Sequence, residues 1–526
     1  MNLKNFIIKK SLNKLLLVIS IIFLISISFE FYSSNDFSVG FSRIQNLLKR
    51  MFPIDFSILN ELKQPILETI NIALFSTILA LFTALLVLPL TTNVLFKLKV
   101  IPRIISAIFS IFRTIPFLII AAILVSLFST GVFSGFICMY IINLLTASKL
   151  LKEYAEEVDV KHLEAIECLG VSKFAIYKTA IISNLKPVII SVYFLMLESS
   201  IRGASVLGLV GAGGIGQRLW QELNHLRYDR VSLIILILIL LIFIMDMISY
   251  YFRSREYKIN VTYNDFILKK YSVKVILPAV LLGSVIYVSK FVNITNERFL
   301  LGLKQLKVLI IGLFHPDTNY FGKMLSELLV SLEIALFATI FAAITAIFTS
   351  YFSSVNLFGK YNAVICKVVI NILRTFPPII VALIFFRGFG PGMISSFFAL
   401  YIYTVGVITK MYSEVLESIQ ENILLTTKSL GLGSFVSYIK IIFNGYFPEF
   451  ISIVLYRFES NIKNSTILGM VGAGGIGHLL VNNIEYRNWN RISTLLIGLC
   501  ITIIIIENIS YIIRIKVKNK RRLVCD

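Results

Sequence analysis

The chain has 526 residues, of which 57% are hydrophobic and only 15% are charged, and its formal net charge is +21. This balance excludes an ordinary soluble domain and predicts a protein whose main partner is the lipid bilayer. Cationic loops on the inner face and contact with anionic lipid account for most of the positive charge, so no nucleic-acid partner is expected. The five cysteines form no CxxC pair and the four histidines show no ligand spacing, so neither a metal site nor a disulfide is predicted.

Long apolar stretches recur along the whole chain, and such stretches can cross the bilayer as helices. The predicted spans are 13–31, 66–90, 104–128, 132–148, 187–207 and 231–252, then 273–291, 327–352, 363–387, 393–409, 447–467 and 492–513. The first follows Lys4, Lys9 and Lys10 as a signal peptide would. No small-residue cleavage site closes it, so we expect a retained membrane anchor.

The second half of the chain repeats the first. An offset of 261 positions relates Arg113 to Arg374 and Tyr250 to Tyr511, whereas "IALFSTI" (72–78) and "IALFATI" (334–340) differ by 262. The repeat predicts two domains, 1–260 and 261–526, with six spans each. Since six is even, both halves insert in the same sense, which argues against inverted-repeat carriers. The excess of lysine and arginine in the inner segments predicts that both termini are cytoplasmic.

A glycine-rich stretch, "VLGLVGAGGIGQRL" at 206–219, returns as "ILGMVGAGGIGHLL" from Ile467. It spells the G-x-G-x-x-G of a dinucleotide site, and Asp229 mimics the ribose-binding acid, but the apolar run that follows is too long for a strand. We predict a packed outer gate or a receptor-facing turn; the alternative is a re-entrant turn needed only for folding. The candidate gate residues are Gly211, Gly213, Gly214, Gly472, Gly474 and Gly475.

The largest inner segment of the first half, residues 149–186, contains "HLEAIECLG". This pattern predicts a short helix that Gly170 ends in a left-handed conformation, before a second helix begins. The second half repeats the elbow with Gly431 in register. The alternative is an ordinary amphipathic loop at the membrane interface.

At these residues the chain resembles the integral permease subunits of ABC importers. Glu164, Ala165 and Gly170 match their inner-loop signature, and the second half keeps Gly431 but has Leu425, Thr426 and Thr427 in place of Glu-Ala-Ala. "FRTIP" (112–116), "LRTFP" (373–377), "ESSIR" (198–202), "ESNIK" (459–463) and the paired "VGAGGIG" are similar to the phosphonate-uptake branch. The resemblance implies an all-α, polytopic protein made of two parallel transmembrane domains of the type I ABC importer class, with about six helices each.

The resemblance also implies partners and a location. Two ABC ATPase subunits would dock on the elbows at the cytoplasmic face of a bacterial cell membrane, and an extracytoplasmic solute-binding protein would deliver the solute. The implied cargo is a phosphonate or a related phosphorus oxyanion; methionine or another small solute is the alternative. The sequence has no G-x-x-x-x-G-K-[ST] loop, so we expect the partner to bind ATP, and neither a cofactor nor a catalytic residue in this chain. Two alternative functions are a secondary carrier with parallel halves and a membrane-embedded enzyme.

Charged residues inside the predicted spans form the last set of candidates. Glu198 and Arg202 stand at i,i+4 in the fifth span and recur as Glu459 and Lys463. They predict either internal ion pairs or cations that line an anion pathway.

Arg113 and Arg374 each precede Thr-x-Pro in the third span of their half. They could clamp the oxygens of a phosphonate or serve as anchors near the inner face. Asp246 and Glu507 are expected to pair locally with Arg253 and Arg514.

Overall fold

The computed structural model describes residues 37–92, 100–156, 170, 177, 181–256, 295–419, 429, 433–472 and 474–525. This part of the chain is helical and contains no strand. The first half contributes α1 (Phe37–Met51), α2 (Leu59–Thr91), α3 (Val100–Thr114), α4 (Phe117–Phe128), α5 (Val132–Glu156), α6 (Ile182–Leu207), α7 (Gly214–Asn224) and α8 (Tyr228–Glu256). The second half contributes α9 (Asn296–Leu313), α10 (Phe321–Ser353), α11 (Lys360–Thr375), α12 (Pro378–Phe389), α13 (Met393–Glu417), α14 (Phe447–Gly469), α15 (Ile476–Glu485) and α16 (Trp489–Cys525).

These sixteen helices, the ones of ten or more residues, follow the sequence repeat, so that each helix of the first half corresponds to the one eight numbers later. Helices α2 and α10 differ by 262 positions at both ends, and α5 and α13 differ by 261 at both ends. The extra residue of the first half therefore lies between the end of α2 and the start of α5. The all-α architecture of two parallel repeats is confirmed.

Seven described helices are long and apolar enough to cross a membrane, or nine if each of two bent helix pairs counts as one span. The predicted first span of each half, 13–31 and 273–291, lies outside the described residues. Helix α14 covers the predicted span 447–467 but is not among the helices that are apolar enough to cross a membrane. It carries four charged residues, Glu449, Arg457, Glu459 and Lys463.

The third span of each half is not one helix. Helices α3 and α4 meet at 85°, and α11 and α12 meet at 74°. The break falls at Pro116 and Pro377, because proline lacks an N–H group and disfavours the helical conformation of the preceding residue. The predicted spans 104–128 and 363–387 are therefore each broken at a proline. The bend turns the arginine-bearing ends of α3 and α11 towards the opposite half.

The two halves exchange a helix. Helix α1 of the first half packs on α12 of the second, and α9 of the second packs on α4 of the first. Gly40 lies against Phe389, and its repeat counterpart Gly302 lies against Phe128; a methyl group at either glycine would collide with the phenylalanine ring. We call these two contacts the reciprocal clasp.

Within each half, three helices are joined by a buried polar triad. Asn143 of α5 donates to Thr77 of α2 over 3.2 Å and accepts from Ser200 of α6 over 3.0 Å. The second half uses the equivalent positions with the amide on another helix: Asn461 of α14 donates to Thr339 over 2.8 Å and Thr404 over 3.0 Å. Such hydrogen bonds hold helices together where apolar surface alone gives little preference.

Candidate functional site

A cavity with two adjoining compartments lies between the halves. The first compartment, of about 250 Å³, is bounded by α5 and α6 of the first half and by α11, α12 and α13 of the second. The second, of about 200 Å³, is bounded by α14 of the second half and by α3, α4 and α5 of the first. The two share a wall of five residues, Phe117, Ile142, Thr146, Asn464 and Ile467. Each compartment is thus the repeat counterpart of the other, built from opposite halves.

The first compartment holds two arginines on one carboxylate. Arg202 of α6 donates to Asp246 of α8 over 2.9 Å, and Arg374 of α11 donates to the other oxygen of Asp246 over 3.1 Å. Arg202 also donates to Glu198, one turn earlier on the same helix. The Nε atoms of both arginines are buried and have no hydrogen-bond partner among the described residues. Asp246 therefore ties the halves together while leaving guanidinium donors unused.

The second compartment brings the equivalent cations together with different partners. Lys463 of α14 donates to the backbone carbonyl of Arg113 over 3.5 Å and pairs with Glu507 over 3.6 Å. Glu459 accepts from Arg514 over 3.0 Å rather than from Lys463. The Arg113 side chain has no ion pair within the described ranges, and it lines the cavity.

These contacts sort the sequence-based candidates. The i,i+4 pair is present for Glu198 and Arg202, whereas Glu459 and Lys463 each take a partner from α16. The expected local pair of Glu507 with Arg514 is wrong, and Asp246 bridges α6 and α11. The periodicity missed this because residues 44 positions apart meet only when α6 packs on α8, and residues 128 positions apart meet only when the halves pack together.

Sequence reasoning also missed Arg457 of α14. Its side chain is only 6% exposed, yet the equivalent residue of the first half is the apolar Met196. A charge at the centre of a membrane helix costs about 2.5–3.5 kcal/mol on insertion scales. Comparison of the two repeats could have identified Arg457, since it is an arginine at a position where the other half has methionine.

The glycine-rich stretch forms a tight turn that leads from α6 into α7. Gly211, Gly213 and Gly214 have φ angles of 84°, 80° and 74°, in the left-handed region that favours glycine. Gly131, at the turn between α4 and α5, donates its amide to the Gly211 carbonyl over 2.9 Å. Because the segment follows a helix and not a strand, the dinucleotide interpretation is wrong.

The start of α7 is held by side chains of α2. The amide of Gly214 donates to Glu68 over 3.2 Å, and the amide of Ile215 donates to Thr69 over 2.8 Å. In the second half the Ile476 amide donates to Ser331, the counterpart of Thr69, over 3.0 Å. These amides already have protein partners, so the turn is built for packing rather than for capture of an anion.

The glycines of the second turn, Gly472, Gly474 and Gly475, have φ angles of 91°, 82° and 77°. The two turns therefore share one backbone conformation. Their role as a gate stays a prediction.

Little of the predicted elbow lies within the described residues. Gly170 is exposed and has a φ of 69°, in the left-handed region; Glu164, Ala165 and Gly431 lie outside the description. The sequence reasoning missed one contact on the far side of the predicted elbow: the Tyr177 hydroxyl donates to the Leu85 carbonyl of α2, and its counterpart Tyr438 donates to the Ile347 carbonyl over 2.9 Å. Both halves thus fasten the chain after the elbow to the same place on the second-span helix.

Comparison with known proteins gives the family. The model described as "Binding-protein-dependent transport system inner membrane component" matches residues 76–256 and again 338–515. The phosphate-import permease protein PhnE of Mycolicibacterium smegmatis is 25% identical over 477 residues, 90% of this chain and 89% of that protein.

Two further relatives match smaller parts. The putative phosphite transport system permease protein HtxC of Stutzerimonas stutzeri is 28% identical over 40% of this chain and 74% of its own length. The putative cryptic phosphonate transport system permease protein PhnE2 of Escherichia coli is 33% identical over 22% of this chain and 95% of its own. Among solved structures, an inward-facing MetNI methionine ABC transporter covers 40% of this chain and 99% of its own at 16% identity, with a TM-score of 0.34.

Proposed function

The chain belongs to the family of binding-protein-dependent transport system inner membrane components and is an ABC importer permease, and we propose that its cargo is a small phosphorus oxyanion. Three relatives whose names refer to phosphate, phosphite and phosphonate support this choice. These cargoes share a compact, anionic centre with several equivalent oxygens, so one site could accept more than one of them.

The observation that carries the proposal is the pairing of cations from opposite halves in each compartment. Arg202 meets Arg374 in the first compartment, and Lys463 meets Arg113 in the second. Guanidinium groups present several donors in a fixed plane that matches the oxygens of phosphorus oxyanions. Because each pair draws one residue from each half, movement of the halves would assemble or separate the cations. That coupling suits an alternating-access pathway.

The partners follow from the family in general terms: permeases of this family work with an ATPase and a binding protein. We propose two ATPase subunits, one on each elbow at Gly170 and Gly431, and an extracytoplasmic solute-binding protein on the face that carries α7 and α15. The ATPases bind ATP, and this chain needs no cofactor and catalyses no reaction. We further propose that both termini lie in the cytoplasm of a bacterial cell.

We also propose that one chain forms the whole pathway. The reciprocal clasp supports this, since α1 already occupies the surface of α12 and α9 occupies that of α4. The bridge between Arg374 and Asp246 is likewise made within one chain. A second copy is therefore not needed to close either compartment.

Uptake by the intact transporter tests the cargo. The chain would be expressed with its ATPase and solute-binding protein in a host that lacks its own phosphonate, phosphite and phosphate uptake. We expect ATP-dependent accumulation of labelled methylphosphonate, phosphite or inorganic phosphate. Accumulation of labelled methionine, with none of the three oxyanions transported, would refute the proposal.

A further inference from the structure

We infer that Arg457 is a specificity-determining residue: a buried cation, held behind the cavity wall by Tyr403 and Asn461, that gives the first compartment its preference for anions. The inference rests on the proposed function for the identity of the cargo. The electrostatic role itself is independent of that cargo.

The contacts of Arg457 are neutral. Its guanidinium lies 5.3 Å from the centroid of the Tyr403 ring and donates to Asn461 over 3.3 Å. No ion pair of Arg457 occurs in the part of the chain that the structure describes, and its buried Nε lacks a hydrogen-bond partner there. Arg457 thus keeps an uncompensated positive charge away from water.

Tyr403 connects this charge to the cavity. Its side chain is part of the wall of the first compartment, beside Arg202 and Arg374. Contact between an arginine and an aromatic face places the cation within about 6 Å of the ring centre. Only the Tyr403 ring therefore separates the charge of Arg457 from the compartment. Because the surroundings have a low dielectric constant, the field of this charge in the compartment is weakly screened.

Charge balance shows why this cation matters. Arg202 and Arg374 are matched in number by Glu198 and Asp246, which are their ion-pair partners. Those four residues have no net charge, and the neighbouring Lys410 is paired with Glu414, so Arg457 supplies the surplus of one positive charge near the first compartment. In the second compartment the surplus comes from Arg113, because Lys463 and Arg514 are paired with Glu507 and Glu459.

The repeat separates this role from a need of the fold. In the first half Met196 occupies the equivalent position, 1% exposed, and Ile142 and Ser200 stand where the second half has Tyr403 and Asn461. The three-helix triad of the first half thus forms without an arginine at this position. An arginine adds charge and the contacts to Tyr403 and Asn461.

The test measures the electrostatic potential of the cavity directly. Ser199, which lines the first compartment, is changed to cysteine in a chain whose native cysteines are replaced by alanine. The rates of modification by anionic and cationic methanethiosulfonate reagents are then compared. We expect Arg457→Met to lower the anionic-to-cationic rate ratio by about a hundredfold or more, because one charge at about 10 Å in an effective dielectric of about 20 changes the rate of each reagent at least tenfold, in opposite directions.

Matched variants complete the design. Arg457→Gln keeps a donor for Asn461 and must give the same shift as Arg457→Met, whereas Arg457→Lys must keep the wild-type ratio. Arg227→Met removes a charge from a side chain that is 53% exposed and should leave the ratio unchanged. An unchanged ratio in Arg457→Gln would overturn the inference even if uptake were lost.

Uptake gives the second readout. Arg457→Met and Arg457→Gln should raise the KM for methylphosphonate or phosphite about tenfold, with protein levels equal to the wild type. If the wild-type transporter carries neither oxyanion but the reagent ratio still shifts, the proposed cargo fails and the role of Arg457 stands. If the oxyanions are transported and neither ratio nor KM changes, the inference fails alone.

Discussion

Arg374 of the second half donates to Asp246 of the first over 3.1 Å, and Asp246 simultaneously accepts from Arg202. One carboxylate thereby joins the two halves and neutralises cations in the cavity. Removing it would leave two partly buried guanidinium groups facing each other without their shared acid.

The first prediction concerns this bridge. Asp246→Asn should destabilise the folded protein by about 2 kcal/mol, because buried charges lose their partner. Arg374→Gln should cost a similar amount, and the double variant should cost less than the sum of the two. Thermal unfolding in detergent measures the effect. Strict additivity would show that the two residues do not interact.

The second prediction concerns the cations at the repeat positions in the fifth span. Arg202→Gln combined with Lys463→Gln should raise the substrate concentration needed for half-maximal uptake about tenfold or more, because each removed charge weakens the attraction for an anion. Arg227→Gln serves as the surface control. If only the protein level falls while the KM for uptake stays the same, Arg202 and Lys463 are structural.

The third prediction concerns the glycine-rich turns. Gly213→Val and Gly474→Val should each block uptake, since a β-branched residue is strained at φ angles of 80° and 82°. Gly322→Ala is the control, because a methyl group there meets nothing within 4 Å. Normal uptake by a well-expressed Gly213→Val variant would remove the gate hypothesis.

The fourth prediction concerns the elbows. Gly170→Val should leave ATP hydrolysis by the partner running while uptake falls, because Gly170 has a left-handed φ of 69° that valine does not tolerate. Gly431→Val should do the same if the second elbow also binds the ATPase. Gly322→Val, where a methyl group has open space outside the elbows, is the control. An unchanged ratio of hydrolysis to uptake would contradict the role of the elbow.

The fifth prediction concerns the reciprocal clasp. A protease site introduced into the polar segment 257–270, ahead of the predicted span 273–291, allows the purified chain to be cut between its halves. The halves should stay together after cleavage, and Gly40→Leu with Gly302→Leu should release them, because leucine displaces the Phe389 and Phe128 rings. Gly322→Leu is the matched control. Release of the halves from the cleaved wild type would show that the clasp does not hold them.

The repeat offset predicted much of this molecule, because equivalent residues in a tandem duplication occupy equivalent places in their own halves. Helices α5 and α13 begin and end at residues that are 261 apart. The offset does not say which half a side chain faces. Arg374 and Asp246 were both visible as charged residues in apolar surroundings, but their contact depends on packing between halves.

Hydrophobic length also left the bend of the third spans unpredicted. A run of apolar residues predicts a span but does not report its direction, and Pro116 and Pro377 bend the third span by 85° and 74°. Amphipathic α1 and α9 were not recognised, since they lie between the apolar stretches. Arg457 was overlooked because it sits alone and repeats as Met196, whereas charges that recur in both halves attract notice.

The reciprocal clasp places a constraint on biosynthesis. Helix α1 lies near the start of the described chain, but its packing surface on α12 is translated only after the whole first half has been made. Until then Ile44 of α1, which is buried against Gly388 of α12 in the folded chain, lacks that partner. Residues 378–389 must therefore reach the membrane before the first half can complete its fold. The order in which the helices are synthesised and inserted thus contributes to the assembly of the transporter.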